Sequence, residues 1–136
     1  QGPGRVLYAT HYVLAGPGQN PDKKRGIKDR YKSCGFDLFV EFNPASFRVT
    51  DLDKDGVAEA SFAYQVDCVS DVSPRTQKLV VLEDGAKYIL RGTTRVSAGP
   101  GQVEGGEYTP GSNVKTAPAS IRAHMKALWS TINQAP

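Results

Sequence analysis

The chain has 136 residues, 39% of them hydrophobic, a net charge of +3 and a mean hydropathy of −0.41. That length supports one domain with its own hydrophobic core, and no apolar run approaches the roughly 20 residues needed to span a bilayer. Seventeen basic against fourteen acidic residues is too small an excess to specify a partner, so the placement of the charges matters more than their sum.

Gln1-Gly-Pro3 resembles the remnant of a tag-protease site, and residues 1–4 are given no structural weight. Any signal peptide is expected to have been removed. Arg5 to Leu14 carries Val, Tyr, Thr, Tyr and Val and reads as the first strand. Ala15-Gly-Pro-Gly-Gln-Asn-Pro21 breaks it. The stretch Asp22 to Lys32 then holds six of the seventeen basic residues, including Lys23, Lys24, Arg25, Lys28 and Arg30. Such a run is commonly a solvated loop or an edge strand whose lysines block unwanted pairing. The functional alternative is an anionic partner: an acidic protein, an anionic glycan or nucleic acid. Tyr31 alone is too little aromatic interleaving for a base-stacking platform, so nucleic acid is set aside.

Cys34 and Cys68 each sit at the edge of a strand-like run, which predicts a cross-strand disulfide and not two free thiols. Strands are expected over 36–42 and 46–50, separated by Asn43-Pro44, and again over 59–68. Between the last two lies Asp51-Leu-Asp-Lys-Asp-Gly-Val-Ala-Glu59. Its carboxylates at loop positions 1, 3, 5 and 9, with glycine at 6, have the spacing that wraps a chain around a hard cation taking about 6–8 oxygens. The expected calcium ligands are Asp51, Asp53, Asp55, the Val57 carbonyl and Glu59. Position 12, where an EF-hand needs a bidentate glutamate, is Phe62, so the missing oxygen must come from a distant segment or from water.

Gln77 to Glu83 and Lys87 to Arg91, joined by Asp84-Gly85, predict a tight hairpin. Residues 97–116, rich in Gly, Pro, Ser and Thr, read as one long loop. Within it Ala98-Gly-Pro-Gly-Gln102 repeats Ala15-Gly-Pro-Gly-Gln19, which indicates shared turn chemistry and not duplication. Ile121, Met125, Leu128, Trp129 and Ile132 fall on one face of a C-terminal helix spanning 117–133. The expected fold is a single domain of the α+β class, mainly β: an antiparallel meander, or a partly closed sandwich, with this amphipathic helix packed on it.

The metal loop resembles the calcium hairpins of dockerin-like and FG-GAP-type β-repeats over about nine residues, on Asp51, Asp53, Asp55, Gly56 and Glu59. Lys54 stands where such loops often carry glycine. The chain as a whole resembles a bacterial envelope family labelled surface polysaccharide biosynthesis proteins. The likeness is carried by His11-Tyr-Val13, Cys34 with the strand after it, Thr50 to Glu59, Asp71-Val-Ser-Pro74, Lys87 to Arg95 and Glu104 to Tyr108. This resemblance implies an exported, β-rich domain.

Catalysis finds little support, since His11 and His124 belong to different elements and no HExxH, GxSxG or paired-cysteine motif is present. Asp71, Arg91, Arg95, Glu107 and Tyr108 are candidates for a polar pocket. They are equally suited to satisfying the backbone of the long loop. The leading expectation is a non-enzymatic, calcium-stabilised envelope protein, periplasmic or extracellular, that binds a partner through the basic 22–32 segment together with the Gly/Pro-rich loops. The sharpest form is an immunity-type inhibitor of a secreted effector toxin. A glycan-binding or accessory module for surface polysaccharide comes second, and an envelope hydrolase third.

Overall fold

The computed structural model describes residues 2–133. Nine strands precede one helix: β1 (Arg5–Val13), β2 (Asp22–Tyr31), β3 (Asp37–Thr50), β4 (Glu59–Val69), β5 (Thr76–Glu83), β6 (Ala86–Thr93), β7 (Arg95–Gly99), β8 (Gln102–Gly105), β9 (Tyr108–Pro110) and α1 (Ala119–Ile132). The class is α+β and mainly β, with antiparallel pairing throughout. The central sheet has the order β3-β4-β5-β6-β9, a meander until β9 returns to the free edge of β6. β1 and β2 form a separate two-stranded ribbon, and β7 and β8 another.

The central sheet is covered on both faces. Leu7 and Ile27 of the β1–β2 ribbon join Val40, Phe62, Tyr64, Val80, Leu82 and Ile89 on one side. Ile121, Met125, Leu128 and Trp129 of α1 join Ala63, Leu79, Val81 and Leu90 on the other. Double coverage is why Leu79-Val-Val-Leu82 is a continuous apolar run and not an alternating one. Burial of the whole run, at 0–1% exposure, is the main source of cohesion between the layers.

Several expectations need correction. Strand β3 runs unbroken through Asn43-Pro44 and absorbs the proline as a bulge, the register jumping between Asn43 and Arg48. Residues 97–116 are not one loop: they hold most of β7, then β8, β9 and a short 3-10 turn at Val114–Thr116. Short, mostly exposed strands carry no alternating apolar signal, and the ladder is interrupted between Ser97 and Gly99, so composition alone suggests a loop. The two Ala-Gly-Pro-Gly-Gln copies occupy hairpin connections, and their second glycines, Gly18 and Gly101, both adopt left-handed φ of 77° and 71°. The helix begins behind Pro118, whose carbonyl accepts from the N–H groups of Ile121 and Arg122. The tag expectation for Gln1 lies outside the described residues. Gly2 and Pro3 do have a structural part, their carbonyls accepting from Ser33 Oγ and Cys34 N.

Asp29 ties the ribbon to the sheet. It accepts from Lys78 Nζ on β5 at 2.6 Å and from Tyr64 OH on β4 at 3.1 Å. Burial works to raise its pKa, but hydrogen bonds from Lys78, the Arg30 backbone and Tyr64 outweigh it and hold the carboxyl below the usual range. A depressed carboxylate contributes stability above its unfolded pKa, lost as pH falls through the folded one. Asp29→Asn should therefore destabilise by about 1–2 kcal/mol at neutral pH, with the deficit shrinking in acid. A denaturant titration at pH 7 and at pH 3 checks both statements.

Candidate metal centre and basic ribbon

The β3–β4 connection folds back on itself because its own carboxylates cap its backbone. Asp51 Oδ1 and Oδ2 accept from the N–H groups of Asp55 and Gly56 at 3.2 and 3.1 Å, and Asp55 Oδ1 accepts from Val57 at 2.8 Å. Lys54 and Gly56 supply the left-handed turns, with φ of 58° and 83°. Flanking strands in place of helices separate this loop from an EF-hand. Phe62, at loop position 12, is buried among Phe42, Phe47 and Tyr64 with ring centroids 5.6–6.3 Å away.

Oxygens of Asp51, Asp53, Asp55 and Glu59 all lie within 4.8 Å of one another. An ion with ligands at about 2.3–2.6 Å holds oxygens up to about 5 Å apart, so these four fit one coordination sphere. Glu59 is fully buried, and its two oxygens have different fates. Oε1 accepts from Thr50 Oγ1 at 2.8 Å and from Leu52 N at 2.9 Å, whereas Oε2 has no hydrogen-bond partner. A buried carboxylate oxygen without a donor is costly unless a cation meets it. The residues therefore fit a metal ion. Val57 follows Gly56 at the position whose carbonyl the sequence assigns to the ion.

The sequence missed Glu83, the last residue of β5, which is 9% exposed. A hydrogen bond with Asp53, burial, and the charges of Asp53, Asp55 and Glu59 push its pKa up to about 8. The same hydrogen bond is the main cause of a lowered Asp53 pKa. No local motif marks this residue. Only the β4–β5 pairing, which ends at Ala60↔Leu82, brings position 83 to the loop.

Cys34 and Cys68 are joined as expected, with Cα atoms 5.8 Å apart. The residues expected to bind a partner divide into two sets. Lys24 turns inward to Asp22 and Asp84 at 3.0 and 3.1 Å, and Arg25 donates to the Gly85 carbonyl at 3.0 Å. Lys23, Lys28 and Arg30 instead stand across the ladder from Tyr12, Tyr8 and Val6. These three β1 residues are 56%, 65% and 40% exposed, and Lys28 Nζ lies 5.7 Å from the Tyr8 ring centre. The outer ribbon face thus alternates cations with aromatic and apolar side chains and, among the described residues, carries no carboxylate. Sequence reasoning missed it because the aromatics belong to the neighbouring strand. The ground for setting nucleic acid aside, a lone Tyr31, does not survive this arrangement.

The polar-pocket residues also divide. Arg95, Glu107 and Tyr108 line an open cleft of about 580 Å³ with Lys126, Trp129 and Asn133. Asp71 lies elsewhere, held low by hydrogen bonds from the Ser73 hydroxyl and backbone, and Arg91 sits on β6 opposite Lys78 and Thr109. Trp129 is a core residue, donating to the Gly106 carbonyl at 2.8 Å. Ser61 and His124 meet at 3.0 Å, but Ser61 has no exposed surface from which to attack a substrate. Burial, then the Arg48 charge, lowers the His124 pKa. No helix among the described residues is long and apolar enough to cross a membrane. No protein-family model matches the chain, and no match was found among curated proteins or solved structures.

Proposed function

We propose that this is an exported, calcium-stabilised binding protein that engages an acidic protein through the outer face of the β1–β2 ribbon. The observation that carries the reading is Tyr8 and Tyr12 exposed beside Lys28 and Lys23, with Val6 and Arg30 extending the face. Tyrosine and arginine anchors among cations are the composition of interface centres, and the positive charge selects a negative partner. Calcium is favoured over magnesium because a preformed cage of carboxylates suits an ion that sheds its water, whereas magnesium keeps several waters. The disulfide and a calcium site together agree with an oxidising, calcium-rich compartment outside the cytoplasm, periplasmic or extracellular. That location also weighs against nucleic acid as the partner.

The finer reading is an immunity-type inhibitor that covers a secreted effector. A framework held by a disulfide and an ion is preorganised, which lowers the ordering cost of binding. A surface glycan with carboxylate groups is the second reading. It is favoured by the two tyrosine rings, four residues and so roughly 13 Å apart along one strand, a spacing that would let them stack on non-adjacent sugars of one chain.

Photo-crosslinkers replacing Tyr8 or Tyr12 in the native cell should trap one acidic protein, identifiable by mass spectrometry. With that protein purified, Lys23→Glu, Lys28→Glu and Arg30→Glu together should weaken binding by about tenfold or more, with little change in the melt. Binding indifferent to the triple reversal would overturn the reading. Reversal-sensitive binding of an acidic polysaccharide, with no protein trapped, would replace it with the second.

A further inference from the structure

We infer that Glu83 is a fifth carboxylate ligand, so that one hard divalent cation is held jointly by the β3–β4 and β5–β6 hairpins. The inference rests on the calcium reading above and adds to it the oxygen that the nine-residue loop lacks.

Three observations carry it. The β4–β5 register pairs Ser61 with Val81 and Ala60 with Leu82, so one step further Glu83 stands beside Glu59, and like charges directly opposed in a ladder are unfavourable. Both side chains lie on the sheet face that carries α1, since Ala63, Leu79 and Val81 of the same parity pack there. That places the Glu83 carboxyl beside the loop, near enough to Asp53 to shift its titration, although it is not one of the four residues whose oxygens lie within 4.8 Å of one another and must turn toward the ion to join them. Finally, the fully buried Glu59 Oε2 has no donor, while Glu83 itself is about nine-tenths buried. Folding thus gathers carboxylates out of water and leaves one oxygen with no protein partner, an arrangement that a divalent cation between them relieves. The cation would bridge loop and sheet, with Asp51, Asp53 and Asp55 from the turn and Glu59 and Glu83 from the ends of adjacent strands.

The competing account is that Glu83 stays protonated and only donates a hydrogen bond to Asp53. Glu83→Gln separates the two, because glutamine keeps the donor and the shape but loses the anionic ligand. Calcium chloride is titrated by calorimetry into chelator-stripped wild type and variant. We expect the variant to bind calcium at least about tenfold more weakly, while its melt in chelator is unchanged or higher because two carboxylates no longer face one another. Equal affinities would overturn the inference and leave the loop site standing. Absence of any calcium heat or calcium-dependent melt in wild type would overturn the calcium reading and this inference together. If Glu83→Gln does not fold, Glu83→Asp serves: a shortened ligand weakens calcium binding, whereas unchanged affinity overturns the inference.

Discussion

Calcium should raise the melting temperature of the chelator-stripped protein by about 10 °C at a free concentration near 100 times the dissociation constant. A ligand that binds only the folded state stabilises it by mass action, about 2.7 kcal/mol at that saturation, and each kcal/mol moves the midpoint of a domain this size by several degrees. Asp53→Ala should abolish the response, because Asp53 belongs to the cluster of oxygens within 4.8 Å and contacts Glu83. Identical melts in calcium and chelator would remove the metal centre. A pH series in chelator gives an independent check. Glu83, whose pKa is 4.5 in its ordinary state and about 8 in the folded protein, binds its proton more tightly when folded. Its contribution is fully present below pH 4.5 and lost as pH rises through 8. The metal-free melt should therefore fall between those limits, and calcium should flatten that fall.

Reduction of Cys34–Cys68 should lower stability by about 3–4 kcal/mol, on the order of 10–15 °C in the melt. The bridge spans 34 positions, and closing a loop of that length removes substantial freedom from the unfolded chain in the entropic account. It also fixes the segment before β3, where Ser33 and Cys34 bond to the carbonyls of Gly2 and Pro3. Reduced protein should consequently show early hydrogen exchange over residues 2–5 and 33–37. Peptide mapping without reductant must recover the Cys34–Cys68 pair. Complete alkylation of both thiols in protein taken from its native compartment would contradict the bridge and the exported location.

Features encoded within a dozen residues were readable from sequence. The Asp84-Gly85 turn adopts φ of 41° and 89°, the left-handed pair that this dipeptide favours. The stripe of Ile121, Met125, Leu128 and Trp129 is the buried face of α1, and the three aspartates of the DxDxDG loop gather with Glu59 as spaced. Features set by the register between neighbouring strands were not readable. Glu83 looks like any polar residue closing a strand until the β4–β5 register sets it beside Glu59. Tyr8 and Tyr12 look like ordinary strand aromatics until β2 supplies their cationic neighbours. The ribbon escaped notice as a separate layer because so few of its residues face inward. Leu7 and Ile27, with the partly buried Ala9 and Tyr31, carry its packing.

The turn that follows Glu83 also joins the basic ribbon to the central sheet. Asp84 holds Lys24 and the Gly85 carbonyl holds Arg25, so the ribbon is tethered to the turn directly after the residue inferred above to be a ligand. If occupancy of the centre firms that tether, calcium and the acidic partner become reciprocal effectors, each raising the affinity of the other by the same factor. Affinity for the acidic partner should then rise on adding calcium, which a partner titration in calcium and in chelator checks.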